Sequence, residues 1–91
     1  MLTGAQVRAA RALLNISVTR LAELTGLAVN TIRRAEATNG ISPLTEANIQ
    51  LIRNTFESAG VSFLAGSAEG GVGVRFEKGA VPDLQKRRRD S

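Results

Sequence analysis

Apolar side chains recur every three or four residues along the first sixty positions of the chain, in four separate runs. This spacing is typical of amphipathic helices, and it predicts helices over residues 3–14, 17–25 and about 28–37, with a longer one ending near Ser58. Each run is followed by residues that tolerate a left-handed backbone or interrupt a helix, namely Asn15, Gly26, Asn39-Gly40 and Gly60. The pattern therefore indicates four helices joined by short connections.

Three of these helices begin at capping sequences, and Ser17 is the predicted cap of the second. Thr3, followed three residues later by Gln6, fits a capping box in which each side chain bonds the other residue's backbone N–H. For the last helix, Ser42-Pro43 is a cap followed by proline at the first helical position, and Thr45 is an alternative start. The sequence leaves that boundary open between the two.

Beyond Gly60 the apolar period changes from helical spacing to alternation. Residues 61–65 and 72–76 each alternate in this way, which predicts a β-hairpin around a flexible, glycine-rich loop at 66–71. We expect two apolar faces, one formed by Val61 and Phe63 and another formed by Val72, Val74 and Phe76. Two strands alone are marginally stable in water, so they need helix packing or strands from a second chain.

Composition narrows the chemistry open to this chain. Its 91 residues fit one domain, and its 43% of apolar residues argues against disorder of the whole chain. Because cysteine and histidine are absent, thiolate nucleophiles, the commonest general base and the commonest metal ligand are all missing. The glutamates are scattered rather than paired at metal-binding spacing. We therefore expect no enzyme, no cofactor and no metal.

Net charge and targeting signals indicate the partners and the cellular compartment less specifically than composition indicates the chemistry. A net charge of +4 permits nucleic-acid binding without requiring it. The N-terminus lacks the apolar segment of a signal peptide, and no stretch approaches the length of a membrane span. We expect a cytoplasmic protein with no membrane partner, associated with the nucleoid if it binds DNA.

The second and third predicted helices, joined at Gly26, have the minimal pattern of a helix-turn-helix. In the second helix, the residues expected to point inward are Leu21, Ala22 and Leu24. In the third, the residues left on the outward face are Asn30, Thr31, Arg33 and Arg34. Such a face fits the major groove of DNA, where asparagine pairs well with adenine and arginine with guanine. The alternative is an ordinary solvated helix face.

The run LAELTGLAVNTIRRAE, Leu21 to Glu36, resembles the helix-turn-helix of the lambda-repressor and Cro-like regulators, often called the XRE family. The resemblance covers residues 3 to about 58, and it implies a mainly α, lambda-repressor-like domain of four helices followed by a C-terminal β-hairpin. It assigns base reading to Val29, Asn30, Thr31, Arg33 and Arg34. It also matches Arg11 and Glu36 to a structural ion pair between the first and third helices.

A second set of residues is expected to contact the DNA backbone. The family often has a phosphate-binding glutamine after the cap of the second helix, where this chain has Val18. The backbone contacts are then expected from Ser17, Thr19 and Arg20, and from the basic run Lys86, Arg87, Arg88 and Arg89. That run lies in a tail that we expect to be disordered, where its alternative role is to aid solubility.

These expectations divide the chain into a DNA-binding domain at 1–60, a hairpin at 61–78 and a basic tail at 79–91. The hairpin either covers the helical core or forms a homodimer through Val61, Phe63, Val72, Val74 and Phe76. The predicted function is that of a dimeric repressor or dual regulator, which reads an inverted-repeat operator in double-stranded DNA. The resemblance implies that such regulators often control a prophage or another mobile element.

Two other functions remain open. One is a protein-interaction adaptor or anti-activator that keeps the fold, does not read DNA and binds an acidic protein partner. The other is an architectural protein that binds any duplex without sequence preference.

Overall fold

Four helices precede an antiparallel, two-stranded sheet in the computed structural model, which describes residues 1–79. The elements are α1 (Gly4–Leu14), α2 (Val18–Thr25), α3 (Val29–Glu36), α4 (Glu46–Ser58), β1 (Val61–Leu64) and β2 (Gly73–Phe76). The prediction of a mainly helical chain with a C-terminal hairpin is therefore confirmed. Of the predicted tail, all residues after Gly79 lie outside the described part of the chain.

Local capping chemistry defines the first two helices as predicted. The Thr3 hydroxyl accepts a hydrogen bond from the Gln6 backbone N–H at 3.0 Å, and the Gln6 side-chain oxygen accepts one from the Thr3 backbone N–H at 3.0 Å. Ser17 caps α2 with a single bond, in which its hydroxyl accepts from the backbone N–H of Arg20 at 2.9 Å. A left-handed residue follows each helix, Asn15 with φ 57° and Gly26 with φ 77°.

Of the two starts that the sequence left open for the fourth helix, Thr45 is the cap and Ser42-Pro43 is not. The Thr45 hydroxyl accepts a hydrogen bond from the Asn48 backbone N–H at 3.2 Å. Residues 40–42 instead form a short antiparallel bridge with residues 2–4, in which Ser42 N–H donates to the carbonyl of Leu2 at 2.9 Å. Because this pairing holds the backbone extended, the helix begins after it.

Aliphatic side chains and one phenylalanine fill the core between the helices and the hairpin. The fully buried side chains include Leu2, Val7, Leu14, Leu21, Ile32, Ile52, Phe56 and Val61. The prediction that Leu24 points inward is wrong, since 38% of it is exposed, and Thr25 is buried in its place. The inward face of α2 repeats at Leu21, Ala22 and Thr25, and Leu24 lies beside it.

The hairpin has one apolar face, not the two that were predicted. Val61 pairs with Phe76, and Phe63 pairs with Val74. Because residues directly opposite in an antiparallel pair share a face, these four side chains lie together. Phe63 packs edge-on against Phe56 of α4, with ring centroids 5.8 Å apart. The hairpin therefore covers its own helical core, with β2 against α1 and β1 against α4.

The segment predicted as a flexible loop between the strands contains a tight turn. The backbone N–H of Ser67 donates to the carbonyl of Gly70 at 2.7 Å, and the reverse bond measures 3.3 Å. The Ser67 hydroxyl also accepts a hydrogen bond from the Glu69 backbone N–H at 3.1 Å. Residues 67–70 therefore end the hairpin in a defined reversal.

Gln6 joins the hairpin to the start of α1. Its side-chain nitrogen donates to the carbonyl oxygens of Leu64 at 3.1 Å and Gly73 at 3.0 Å, which pair with each other at the loop end of the hairpin. Its side-chain oxygen serves the capping box, and the residue is only 4% exposed. One buried amide therefore connects a helix start to both strands of the sheet.

We expect Gln6→Glu to lower the free energy of unfolding by about 1–3 kcal/mol or more at neutral pH. A carboxylate can still accept the Thr3 hydrogen bond, but it cannot donate to the two strand carbonyls. Urea unfolding would measure the loss, with Gln50→Glu on the exposed side of α4 as the matched control. An equal effect of the two substitutions would contradict the role of Gln6 in holding the hairpin.

Candidate nucleic-acid interface

A tight turn around Gly26 connects α2 to α3. The buried side chain of Thr25 holds this turn, because its hydroxyl donates to the Leu21 carbonyl at 2.9 Å and accepts from the Leu27 backbone N–H at 3.2 Å. Gly26 adopts the left-handed backbone that a side chain disfavours. The sequence analysis did not single out Thr25, although its position four residues after Leu21 places it on the same helix face.

The outward face of α3 carries the polar residues that the sequence placed there. Ile32 and Ala35 are fully buried and Glu36 is 8% exposed, which fixes the opposite face toward solvent. The exposed residues of this helix are Asn30, Arg33 and Arg34. Because positions 30, 33 and 34 are separated by three and four residues, they form one stripe along the helix. We call these three residues the α3 stripe.

The other two predicted base-reading residues lie at the edges of the α3 stripe. Thr31 and Val29 are half-buried, and Val29 packs partly against the core. Within residues 1–79, no ion pair or side-chain hydrogen bond involves Asn30, Arg33 or Arg34. Their donors and acceptors therefore point to solvent without a described protein partner.

The start of α3 differs from the starts of the other three helices described in residues 1–79. Thr3, Ser17 and Thr45 each accept a hydrogen bond from the first turn of their helix, whereas Ala28 caps α3 without a side-chain acceptor. The first N–H groups of a helix have no intrahelical partner, and they form the positive end of its dipole. An anion meeting this end of α3 would therefore not compete with a capping side chain.

The predicted backbone-contacting residues at the start of α2 are all exposed. Ser17 caps the helix, Thr19 faces solvent, and Arg20 forms an exposed ion pair with Glu23 at 3.2 Å. Such a surface pair contributes little, so Arg20 can exchange it for a phosphate at small cost. The predicted basic run at residues 86–89 lies outside the described residues.

Arg11 and Glu36 form the predicted ion pair between α1 and α3. The Arg11 guanidinium contacts both carboxylate oxygens, with Nε 2.7 Å from Oε2 and Nη2 2.9 Å from Oε1. Its third donor group, at Nη1, reaches the carbonyl of Ile16 at 3.1 Å. The hydrogen bond to Glu36 raises the pKa of Arg11, against the opposing effect of partial burial. This bidentate ion pair attaches α3 to α1.

The predicted dimerisation residues divide into buried and exposed sets. Val61 is fully buried in its own chain and therefore presents no surface to a second one in this structure. Phe63 and Val74 are half-buried against the core of the same chain. Val72 and Phe76 remain 48% and 36% exposed, and only these two of the set present large apolar surface outward.

Two further findings concern ligands and membranes. In the part of the chain that the structure describes, no three acidic, histidine or cysteine residues lie together as a metal site would require. Across those same residues, every helix is too short or too polar to cross a bilayer.

Comparison of the chain with protein-family models, curated proteins and solved structures gave no match.

Proposed function

We propose that this protein is a sequence-specific, double-stranded DNA-binding transcriptional regulator of the lambda-repressor-like type. The observation that carries the proposal is the α3 stripe, which leaves Asn30, Arg33 and Arg34 exposed and unpaired within residues 1–79 on a short helix after a tight turn. The major groove is about 12 Å wide and admits one helix. Arginine there can bond the O6 and N7 atoms of guanine, and asparagine can bond adenine.

The surroundings of the α3 stripe support contact with the DNA backbone. Ser17, Thr19 and Arg20 are exposed at the start of α2, and the first turn of α3 has no capping side chain. Phosphate oxygens accept hydrogen bonds from such groups, and these contacts fix the orientation of a protein on the duplex without reading sequence. In this proposal, α2 contacts phosphates while α3 reads bases.

A homodimer is the second part of the proposal. One short helix reads only a few base pairs, and helix-turn-helix dimers read two half-sites about 34 Å apart. The exposed apolar side chains of Val72 and Phe76, with the outer edges of a two-stranded sheet, support contact with a second copy through the hairpin. Blocking a promoter by such a dimer would repress transcription.

Selection from random DNA duplexes with the full chain at near-physiological salt tests both parts. Enrichment of an inverted repeat, with half-sites about one helical turn apart, is the expected result. Enrichment of a single short half-site would support base reading and reject the dimer. Retention of all duplexes without enrichment would reject sequence reading in favour of an architectural binder, and no retention would favour an adaptor that binds protein.

A further inference from the structure

One stripe of α1 contacts the C-terminal end of α3 at three successive positions. Gly4, Arg8 and Arg11 are spaced by four and three residues, so they lie on the same side of α1. Arg11 binds the Glu36 carboxylate, as described above. The other two residues contact groups in residues 35–40, and neither was singled out from the sequence.

Gly4 lets the two helices approach closely. Its backbone N–H donates to the Gly40 carbonyl at 2.9 Å. A Cβ atom at this position would lie 2.0 Å from the Thr38 carbonyl oxygen and 2.8 Å from that of Ala35. Both distances are far below van der Waals contact, so only glycine fits here without moving α3 away from α1.

Arg8 binds the carbonyl groups at the end of α3. Its Nη1 donates to the carbonyl oxygen of Glu36 and, at 3.4 Å, to that of Thr38, and its Nη2 donates to the side-chain oxygen of Asn39. The last carbonyls of a helix lack intrahelical partners and form the negative end of the dipole. A guanidinium satisfies both requirements, since it supplies several donors and a positive charge.

We propose that Arg8 is a positioning residue. It fixes the orientation of α3 and therefore the orientation of the α3 stripe relative to the base edges. This inference rests on the proposed DNA-reading function. Arg8 holds the C-terminal end of α3, whereas α2 is attached to the N-terminal end through the turn at Gly26. Without Arg8, the C-terminal end of α3 is held from α1 by the Arg11–Glu36 side-chain pair and the close packing at Gly4, so the helix varies more in orientation and the binding-competent orientation becomes a smaller fraction of the population.

This role differs from that of a phosphate-binding arginine in a measurable way. The donors of Arg8 are directed at acceptors within the protein, so the residue does not need a phosphate as a partner. Loss of a phosphate contact weakens binding to all duplexes and lowers the salt slope by about one. Loss of a positioning residue lowers the preference for the operator and leaves the salt slope unchanged.

The test compares Arg8→Ala with Arg75→Ala in the full chain. Arg75 is an exposed residue of β2 whose side chain lies on the opposite face of the strand from Phe76, the β2 residue of the proposed dimer surface, so its replacement removes the same charge without touching α3 or that surface. The dissociation constants for the selected operator and for a scrambled duplex are measured over a series of salt concentrations. We expect Arg8→Ala to lower the operator-to-scrambled affinity ratio about tenfold, which corresponds to one net hydrogen bond to a charged group. Arg75→Ala should leave the ratio unchanged.

Two further measurements separate this inference from the proposed function. Arg8→Lys keeps the charge but cannot span the Glu36 carbonyl and the Asn39 side chain, so it should restore only part of the ratio. Amide hydrogen exchange over residues 33–37 of the DNA-free protein should be faster in Arg8→Ala than in wild type, while exchange in α4 should be unchanged.

An unchanged ratio, or a salt slope lower by about one, would overturn the positioning role. Failure of the wild-type protein to select any operator would overturn the proposed function and, with it, the DNA role of Arg8. The exchange measurement needs no DNA, so it would still decide whether Arg8 holds α3.

Discussion

Replacing Arg33 and Arg34 together with alanine is expected to weaken binding to the selected operator by about a hundredfold or more. Each bidentate pairing of arginine with guanine contributes about 1–3 kcal/mol of discrimination, so removing both arginines gives an effect of that order. Both residues are exposed and lack ion pairs within residues 1–79, so the fold should be retained. Fluorescence anisotropy with operator and scrambled duplexes would measure the change in affinity.

A matched control separates base reading from charge. Arg75→Ala with Lys78→Ala removes two exposed positive charges from the hairpin side of the molecule, away from α3. Because both residues flank Phe76 of the proposed dimer surface, size-exclusion chromatography first checks that the control variant keeps the oligomeric state of wild type. The control should then change operator and scrambled binding equally and only slightly. If the α3 double variant also weakened binding to the two kinds of duplex equally, its arginines would supply only non-specific attraction, as in an architectural binder. If wild type showed no operator at all, the adaptor function would be favoured.

Glu36→Ala is expected to lower the free energy of unfolding by about 3 kcal/mol. Removing one partner of a buried ion pair typically costs about 3–5 kcal/mol, because the other charge is left without compensation. We expect the lower end of this range of free energies. Glu36 is 8% exposed, but Arg11 is 22% exposed, so water can solvate the arginine once its partner is removed. Chemical denaturation monitored by circular dichroism would measure the change.

The exposed pair between Arg20 and Glu23 provides the control for this experiment. Glu23→Ala breaks an ion pair whose side chains are 47% and 62% exposed, and such pairs contribute about 0–1 kcal/mol. A similar small loss in Glu36→Ala would mean that the inter-helix pair does not stabilise the domain. Arg11→Met combined with Glu36→Leu should recover part of the stability, because it removes both charges together.

Features set by neighbours in sequence were predicted correctly. The caps at Thr3 and Ser17 and the turn at Gly26 each depend on residues no more than four positions apart. The exposed stripe of α3 follows from helical periodicity alone, because burial of Ile32 and Ala35 determines which side faces solvent. The sequence could therefore place Arg33 and Arg34 outward before any tertiary contact was known.

Features set by distant partners were missed. The start of α4 depends on the bridge between residues 2–4 and 40–42, which no local pattern at Ser42 reveals. The single apolar face of the hairpin depends on its register, and alternation within one strand does not determine register. The roles of Gln6 and Arg8 depend on groups in β1, β2 and the end of α3, so helix propensity and spacing in α1 could not predict them.

The bonds from Gln6 to the hairpin also bear on how this chain is made. They join residues 58 and 67 positions apart, so α1 is synthesised before β2 and its contacts are complete only when β2 has followed. At about 5–20 residues per second, several seconds separate synthesis of α1 from that of β2. During that interval the apolar surface of the helices that β1 and β2 later cover is exposed. A nascent chain stalled before Gly73 would therefore present this surface to chaperones, whereas the finished domain buries it.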